Sequence, residues 1–179
     1  MHNLTDKRFA IVMPIYEDRE ASTRLFKELH AEYGDRAYIV AVDDGSVNQP
    51  VELNAIKSAG LDGVVIRLKR NVGHQRAIAI GINYVAEHLS DIACTVIMDS
   101  DGEDTPQSIR LLVEPLQSQQ VDMVVAQRKS RVETLKFKTF YVIYKWLFQL
   151  LTGRKISFGN FMALKPSGVK RLAAMQELW

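Results

Sequence analysis

The sequence contains a single cysteine, Cys94, which excludes an internal disulfide and is typical of a reducing compartment. It also carries little net charge, and a value of +2 is too small to favour a nucleic-acid partner. The start lacks a charged region followed by an apolar stretch, so no signal peptide is predicted. The longest apolar segment, Phe137–Leu151, is interrupted by Lys138 and Lys145 and is too short to span a bilayer. We therefore expect a cytoplasmic protein, with any membrane contact peripheral and at the cytoplasmic face.

What the sequence does contain is enough apolar material for one globular domain. It has 179 residues, of which 47% are hydrophobic and 25% are charged. Five short apolar runs recur along the chain, and most of them are nearly continuous rather than alternating, which is typical of central strands of a parallel sheet. These predicted strands are Phe9–Pro14, Ala37–Val42, Gly63–Leu68, Ala93–Met98 and Val121–Ala126.

Segments with helical periodicity lie between the predicted strands. They cover Arg19–Gly34, His74–Leu89 and Thr105–Gln120, and the first stops at a glycine, a good residue just past a helix end. Strand alternating with helix predicts right-handed βαβ units. The fold class is therefore α/β, a Rossmann-like, doubly wound, mostly parallel sheet flanked by helices.

The segment "VIMDSDGEDTP", Val96–Pro106, places four carboxylates directly behind a predicted strand. Asp99, Asp101, Glu103 and Asp104 offer oxygen ligands, which Mg²⁺ and Mn²⁺ prefer. Because ligands of open parallel sheets bind at the carboxyl ends of the strands, this loop is a candidate metal site. The alternative is an acidic turn that caps the next helix.

Other strand ends also carry polar residues suited to a ligand. The run "VDDGS" puts Asp43 and Asp44 where a carboxylate could accept from a ribose hydroxyl or a base N–H, although a plain strand-end turn is the alternative. His74 opens a helix, where a histidine is more often polar surface than a ligand. Basic residues that could hold a diphosphate, with Arg128 the favoured one, are Arg67, Lys69, Arg70, Arg128 and Arg131.

Four motifs in this order resemble glycosyltransferase family 2, and within it the polyprenyl-phosphate sugar transferases. They are "PIYED" (Pro14–Asp18), "VDDGS" (Val42–Ser46), "RNVGHQRAIAIG" (Arg70–Gly81) and "MDSDGEDTP" (Met98–Pro106). The resemblance implies a GT-A fold and a metal-dependent, inverting transfer of sugar from a nucleotide-diphosphate sugar, uridine-linked by expectation, to an acceptor. It also implies Mg²⁺ or Mn²⁺ as cofactor, and an acceptor that is a polyprenyl phosphate or a cell-envelope glycan.

The resemblance assigns roles to individual residues. Asp99 and Asp101 form the D-x-D motif at the catalytic centre, with Asp101 the direct metal ligand and Glu103 able to reach the metal. Arg128 matches an arginine expected near the diphosphate. The nucleotide-binding set implied by position is Pro14, Tyr16, Asp18, Asp43, Asp44, Asn71, Asp99 and Arg128.

One late stretch departs from the family pattern. Where relatives carry a catalytic carboxylate and an arginine, "FGNFMAL" has Asn160 and Met162. An amide cannot act as a general base. Three interpretations follow: the acceptor is a phosphate that needs no deprotonation, the base lies beyond Trp179, or the activity at this catalytic position is impaired or altered.

The whole chain, 1–179, is predicted to be one catalytic domain with two parts. Residues 9–128 would bind the nucleotide sugar, and residues 129–179 would face the acceptor. The helical segment Phe137–Leu151 has two apolar faces, which suits a membrane interface, a second subunit in a homo-oligomer, or burial under a further C-terminal segment. The chain stops inside a predicted helix, so we expect a fragment of a longer protein.

Two other functions are compatible with parts of the pattern. A nucleotidyltransferase that makes nucleotide sugars would share the sheet, but it would normally carry a glycine-rich phosphate loop after the first strand, and "PIYEDRE" is not one. A non-catalytic module that binds nucleotide sugars is compatible with Asn160. Metal-dependent hydrolysis of the donor would argue against this second alternative.

Overall fold

The computed structural model describes residues 8–127 and 158–175. In this part of the chain a sheet of six strands has the order β3-β2-β1-β4-β6-β5. The strands β1, β2, β3 and β4 are mutually parallel, whereas β6 runs antiparallel to both of its neighbours, β4 and β5. The strand bounds are Phe9–Ile15 (β1), Ala37–Asp43 (β2), Asp62–Arg67 (β3), Thr95–Ile97 (β4), Met123–Gln127 (β5) and Phe158–Leu164 (β6).

Helices pack on both faces of this sheet. The described helices are Arg19–Tyr33 (α1), Leu53–Ser58 (α2), His74–His88 (α3), Ile109–Ser118 (α4) and Pro166–Ala173 (α5). One apolar cluster joins α1, α2 and α4 to the sheet, and a second joins α3 and α5 to the opposite face. Successive residues of β1 alternate between the clusters, because side chains of a strand point alternately to its two faces. The near-continuous apolar pattern of this strand follows directly.

The prediction of an α/β, mostly parallel sheet flanked by helices is confirmed. All five predicted strands are present, with ends that differ from the prediction by one or two residues where they differ. The sixth strand, β6, was not predicted, and it separates β4 from β5 in the sheet. Arg128, Arg131 and the segment Phe137–Leu151 lie outside the described residues. Among the helices that are described, none has the length and apolarity needed to cross a membrane.

The register of the central strands aligns their carboxyl ends. Ile15 pairs with Asp43, and Asp43 in turn pairs with Arg67, so β1, β2 and β3 end side by side. Val12 pairs with Ile97, the last residue of β4. The loops that follow β1, β2 and β4 therefore start from neighbouring points on one edge of the sheet, which is where ligands of such sheets bind.

Candidate functional site

The acidic loop after β4 contains one polar atom whose environment is unusual. Oδ1 of Asp99 is buried, and within the described residues it accepts no hydrogen bond of good geometry. A buried carboxylate oxygen without a partner is costly, so such an atom calls for a cation or another ligand. Two further carboxylates of this loop, those of Asp101 and Glu103, belong to exposed residues.

The rest of the acidic loop is organised by hydrogen bonds within it. The backbone N–H of Glu103 donates to Oδ1 of Asp101 at 2.8 Å, and that of Asp99 donates to Oδ2 of Asp104 at 3.4 Å. Gly102, at φ 81°, allows the tight turn between these contacts. The loop is thus shaped by hydrogen bonds between its backbone N–H groups and its own carboxylates, and Thr105 makes no side-chain cap to the helix that follows.

His74 is exposed, as the sequence analysis favoured, and it also lies against the acidic loop. Its Nε2 atom is 3.2 Å from Oδ1 of Asp99, a close ion-pair distance without good hydrogen-bond alignment. The pKa of His74 is raised above its usual 6.5, first by this polar contact with Asp99. The negative charges of Asp44 and Asp101 raise it further, whereas partial burial lowers it. The contact with Asp99 therefore favours the protonated form of His74 over the neutral form.

Strand β6 brings Asn160 to the same place. Its Nδ2 atom lies 2.8 Å from Nε2 of His74, and its Oδ1 accepts from Nε2 of Gln75 at 2.9 Å. The position that the family resemblance associates with a catalytic carboxylate is thus tied to the first turn of α3. Asn160, His74 and Asp99 come together from three different elements of the fold.

The two carboxylates at the end of β2, Asp43 and Asp44, are buried and accept hydrogen bonds from backbone groups. Asp43 accepts from Ser46 N at 2.8 Å and from Val51 N at 3.1 Å. Asp44 accepts from Val72 N at 2.7 Å and from Gly73 N at 3.0 Å. Asp43 thereby shapes its own turn, whereas Asp44 draws the loop before α3 toward the end of β2.

Basic residues near this edge divide into two groups. Arg67 is held in the structure, because its Nε lies 3.8 Å from Oδ2 of Asp43 and its Nη2 donates to the Val51 carbonyl. Lys69 and Arg70 are exposed in the loop that follows β3. The structure thus uses Arg67 to offset the buried Asp43 charge, which leaves Lys69 and Arg70 as the exposed cations of that loop.

The other predicted nucleotide-binding residues that the structure describes lie along the same edge. Pro14 is buried within β1, and Tyr16, just after that strand, is 53% exposed. Asp18 accepts from the Ser100 hydroxyl at 3.0 Å, which joins the β1 loop to the acidic loop. Asn71 accepts from Gly73 N at 3.0 Å through its Oδ1. Tyr16 alone presents a large exposed ring.

Glu17 is a member of this edge that the sequence analysis did not single out. Its carboxylate accepts backbone N–H groups of Val47, Asn48 and Gln49, at distances between 2.7 and 3.1 Å. These hydrogen bonds, that of Val47 first, lower the pKa of Glu17 and together outweigh the opposing effect of desolvation. The only signal in the sequence was an acidic residue between Tyr16 and Asp18.

The donor set of the acidic loop fits a hard divalent cation. Among the described residues, no three His, Cys, Asp or Glu side chains are already grouped as a metal site. Magnesium-type sites, however, commonly use one or two carboxylates and complete their shell with water and substrate phosphate. The buried Asp99 oxygen, which accepts no hydrogen bond among the described residues, and the exposed carboxylates of Asp101 and Glu103 meet that requirement.

This fold, with its acidic loop at the carboxyl edge of a mostly parallel sheet, is of the GT-A class. The family model described as "Glycosyl transferase family 2" matches residues 10–164. The chain belongs to glycosyl transferase family 2. The resemblance inferred from the four sequence motifs is thereby confirmed.

Two curated proteins are similar to this chain in sequence. A dodecaprenyl-phosphate galacturonate synthase of Rhizobium johnstonii is 29% identical over 151 residues, which are 81% of this chain and 42% of the relative. An uncharacterized glycosyltransferase of Bacillus subtilis, YkcC, is 27% identical over 78% of this chain and 43% of its own length. The chain therefore spans less than half the length of these two relatives.

Solved structures share the fold at low sequence identity. Glucosyl-3-phosphoglycerate synthase from Mycobacterium tuberculosis, in complex with Mn²⁺, UDP-glucose and phosphoglyceric acid, aligns with a TM-score of 0.62 and 14% identity. That match covers 90% of this chain and 57% of the other. S. aureus TarS 1–349 in complex with UDP-GlcNAc aligns at 0.51 and 17%, over 72% of this chain and 36% of that one.

Proposed function

We propose that this chain is the donor-binding part of a metal-dependent, inverting glycosyltransferase that uses a nucleotide-diphosphate sugar, most simply a uridine-linked one. The observation that carries the proposal is the buried Oδ1 of Asp99, which accepts no hydrogen bond within the described residues, beside exposed carboxylates of Asp101 and Glu103. The loops after β1 and β2 start from the same edge of the sheet as the acidic loop, which follows β4. A ligand bound at that edge could therefore reach all three loops. Two solved structures with this fold hold UDP-sugars.

The nucleotide is assigned to the loops after β1 and β2. The exposed ring of Tyr16 offers a face for a base, and Asp44 closes the neighbouring loop through Val72 and Gly73. Asn71 lies in that closing loop. Arg128, which directly follows β5 in sequence, remains the assigned partner of the diphosphate.

The metal is assigned to the acidic loop. Asp101 and Glu103 would hold Mg²⁺ or Mn²⁺, with Asp99 orienting the site from its buried position. When bound, the ion acts as a Lewis acid that offsets the charge growing on the leaving nucleoside diphosphate. The contribution of the chain is to keep these carboxylates on a rigid loop beside the diphosphate, so that little reorganisation is needed during the reaction.

The acceptor assigned to this site is a phosphate, in the form of a polyprenyl phosphate at the cytoplasmic membrane face. The curated Rhizobium relative is named as a dodecaprenyl-phosphate galacturonate synthase. A phosphate oxygen is already ionised near neutral pH, so its attack needs no general base. Asn160, which cannot serve as that base, is compatible with such an acceptor and would orient reactants through His74 and Gln75.

The test is calorimetric titration of UDP, GDP and dTDP, each with Mn²⁺ and with EDTA. We expect one nucleotide to bind only with the metal, and Asp101→Asn to weaken that binding at least about tenfold, because the neutral amide is a poorer cation ligand. The amide oxygen of Asn can still accept the Glu103 N–H, so the turn is retained. Asp35→Ala, an exposed acid just before β2 at the opposite edge of the sheet, is the matched control.

Two outcomes would contradict the proposal. If none of the nucleotides binds with Mn²⁺ present, the donor site is wrong for this chain. If a nucleotide binds equally well in EDTA and to Asp101→Asn, the metal assignment is wrong although the nucleotide site stands. Metal-dependent hydrolysis of the matching nucleotide sugar would further separate an enzyme from a module that only binds it.

A further inference from the structure

Glu17 joins two loops that the proposed function assigns to the nucleotide. Oε1 of its carboxylate accepts from Val47 N at 2.7 Å, and Oε2 accepts from Gln49 N at 2.7 Å. Asn48 N donates to both oxygens, at 3.1 and 3.0 Å. Hydrogen bonds from backbone N–H groups to a charged carboxylate are among the stronger ones in proteins. One side chain thereby fixes three successive residues of the β2 loop.

The connection is also made in the reverse direction. The backbone N–H of Glu17 donates to the hydroxyl of Ser46 at 2.8 Å, and the Ser46 N–H donates to Asp43. Glu17 itself has φ 50°, a left-handed conformation that is unfavourable for residues other than glycine. Backbone strain of this kind persists only where surrounding contacts impose it, and it concentrates at functional sites.

The neighbours of Glu17 explain what this arrangement could serve. Tyr16 and Asp18 flank it in the β1 loop, while Asp43 and Asp44 directly precede the turn that it holds. From this geometry we infer that Glu17 is a positioning residue that holds the loops after β1 and β2 in the arrangement that binds the base and ribose of the nucleotide, without touching the ligand. The inference rests on the proposed function and adds a residue to it.

The experiment compares Glu17→Gln with the wild type, each titrated with UDP and with inorganic pyrophosphate in the presence of Mn²⁺. The amide removes the charge and puts an NH₂ group against backbone donors, so the β2 loop is released. We expect UDP to bind about tenfold more weakly, because misplaced binding groups lose affinity steeply. Pyrophosphate, which needs only the acidic loop and the metal, should bind to both proteins equally.

Two further variants make the comparison specific. Ser46→Ala removes the hydroxyl that accepts the Glu17 N–H, and so tests the second contact between the two loops. It should weaken the binding of UDP and leave the binding of pyrophosphate unchanged. Glu28→Gln neutralises an exposed glutamate in α1 that makes no hydrogen bond or ion pair with the Val47–Gln49 turn in the described part of the chain, and it should change neither affinity. Melting temperatures measured on all four proteins verify that each is folded during the titrations.

The outcomes separate this inference from the function on which it rests. Selective weakening of UDP in both Glu17→Gln and Ser46→Ala supports the inference. If the wild type binds UDP and Glu17→Gln binds it equally well, the inference fails alone. If Glu17→Gln binds both UDP and pyrophosphate more weakly, Glu17 only maintains the fold and the inference is again overturned. If the wild type binds no UDP, both the function and the inference fall.

Discussion

At the residue scale, carboxylates at this edge of the sheet divide by what they accept. Asp43, Asp44 and Glu17 receive backbone N–H groups, and these contacts hold loops in place. Oδ1 of Asp99 accepts no comparable bond within the described part of the chain, and its nearest charge is His74. Satisfied carboxylates are structural by this criterion, whereas an unsatisfied buried oxygen retains its capacity for a ligand.

The contact between His74 and Asp99 predicts a pH-dependent stability in the metal-free protein. Because the pKa of His74 is raised in the folded state, its charge stabilises the fold fully below about pH 6.5 and this stabilisation is lost as the pH rises through the folded pKa. We expect His74→Gln to destabilise the protein more at about pH 5.5 than at about pH 9. The His74 side chain is 43% exposed, so solvent screening keeps the difference below about 1 kcal/mol.

Urea denaturation in EDTA at the two pH values measures this difference. His30→Gln, at an exposed position on α1, controls for the loss of one histidine. A destabilisation by His74→Gln that stays constant, or that grows toward alkaline pH, would show that the Asp99 contact does not favour the imidazolium. The proximity of the two side chains would then carry no electrostatic stabilisation.

At the element scale, strands with nearly continuous apolar sequences were predictable and β6 was not. The runs in β1 and β2 are buried on both faces, so their apolar character is visible without any knowledge of neighbours. The β6 sequence "FGNFMAL" interrupts its apolar pattern with Gly159 and Asn160. Its position between β4 and β5, and its antiparallel direction, depend on pairing across the sheet that no local pattern encodes.

The candidate site was predictable to the same extent. The rule that ligands bind at the carboxyl ends of strands identified Asp44 and Asp99 from the sequence alone. The contacts of Glu17 are made 30 to 32 residues along the chain, and Asn160 meets His74 across 86 residues. Such pairings are decided by how the loops pack, so residue spacing could not reveal them.

At the same scale, the geometry of the turn after β2 leads us to expect that Gly45→Ala lowers both stability and nucleotide affinity. Gly45 has φ 77°, and a Cβ atom there would lie 2.5 Å from the backbone carbon of Arg70 and 2.6 Å from Asn71 N. The added methyl group must push away the loop that Asp44 holds at Val72 and Gly73. We expect a loss of about 1–3 kcal/mol in the free energy of unfolding and at least about tenfold weaker binding of UDP with Mn²⁺.

Gly34→Ala is the matched control for that prediction. Gly34 also has a positive φ, 61°, but a Cβ atom there would meet nothing within 4 Å, and it lies just before β2, away from the site edge. Its substitution should lower stability through backbone strain and leave nucleotide affinity unchanged. Equal UDP affinities for the two variants would contradict the argument that Gly45 permits a close approach of the two loops.

At the scale of the whole molecule, the fold separates a packed interior from an edge of interlocked loops. The two apolar clusters cover both faces of the sheet and involve all five described helices. The contacts among the site loops, in contrast, are mostly made by polar side chains: Glu17 to the β2 loop, Asp18 to the acidic loop, and Asp44 to the loop before α3. Loops positioned by a packed scaffold are the usual setting for a binding site.

This separation predicts where a ligand would stabilise the protein. If UDP and Mn²⁺ bridge the loops, hydrogen exchange should slow in residues 16–18, 44–49, 71–74 and 99–104, because opening any of these loops would then require the ligand to dissociate. For the amides of α2 and α5, the ligand should add protection only by stabilising the whole fold against global unfolding. At a ligand concentration of 100 Kd that global term is about 2.7 kcal/mol, which is the ceiling for protection outside the loops.

Protection of the acidic loop without the β1 and β2 loops would indicate that only the diphosphate and metal are bound. The assignment of the nucleoside to the loops after β1 and β2 would then be wrong, while the metal site would stand.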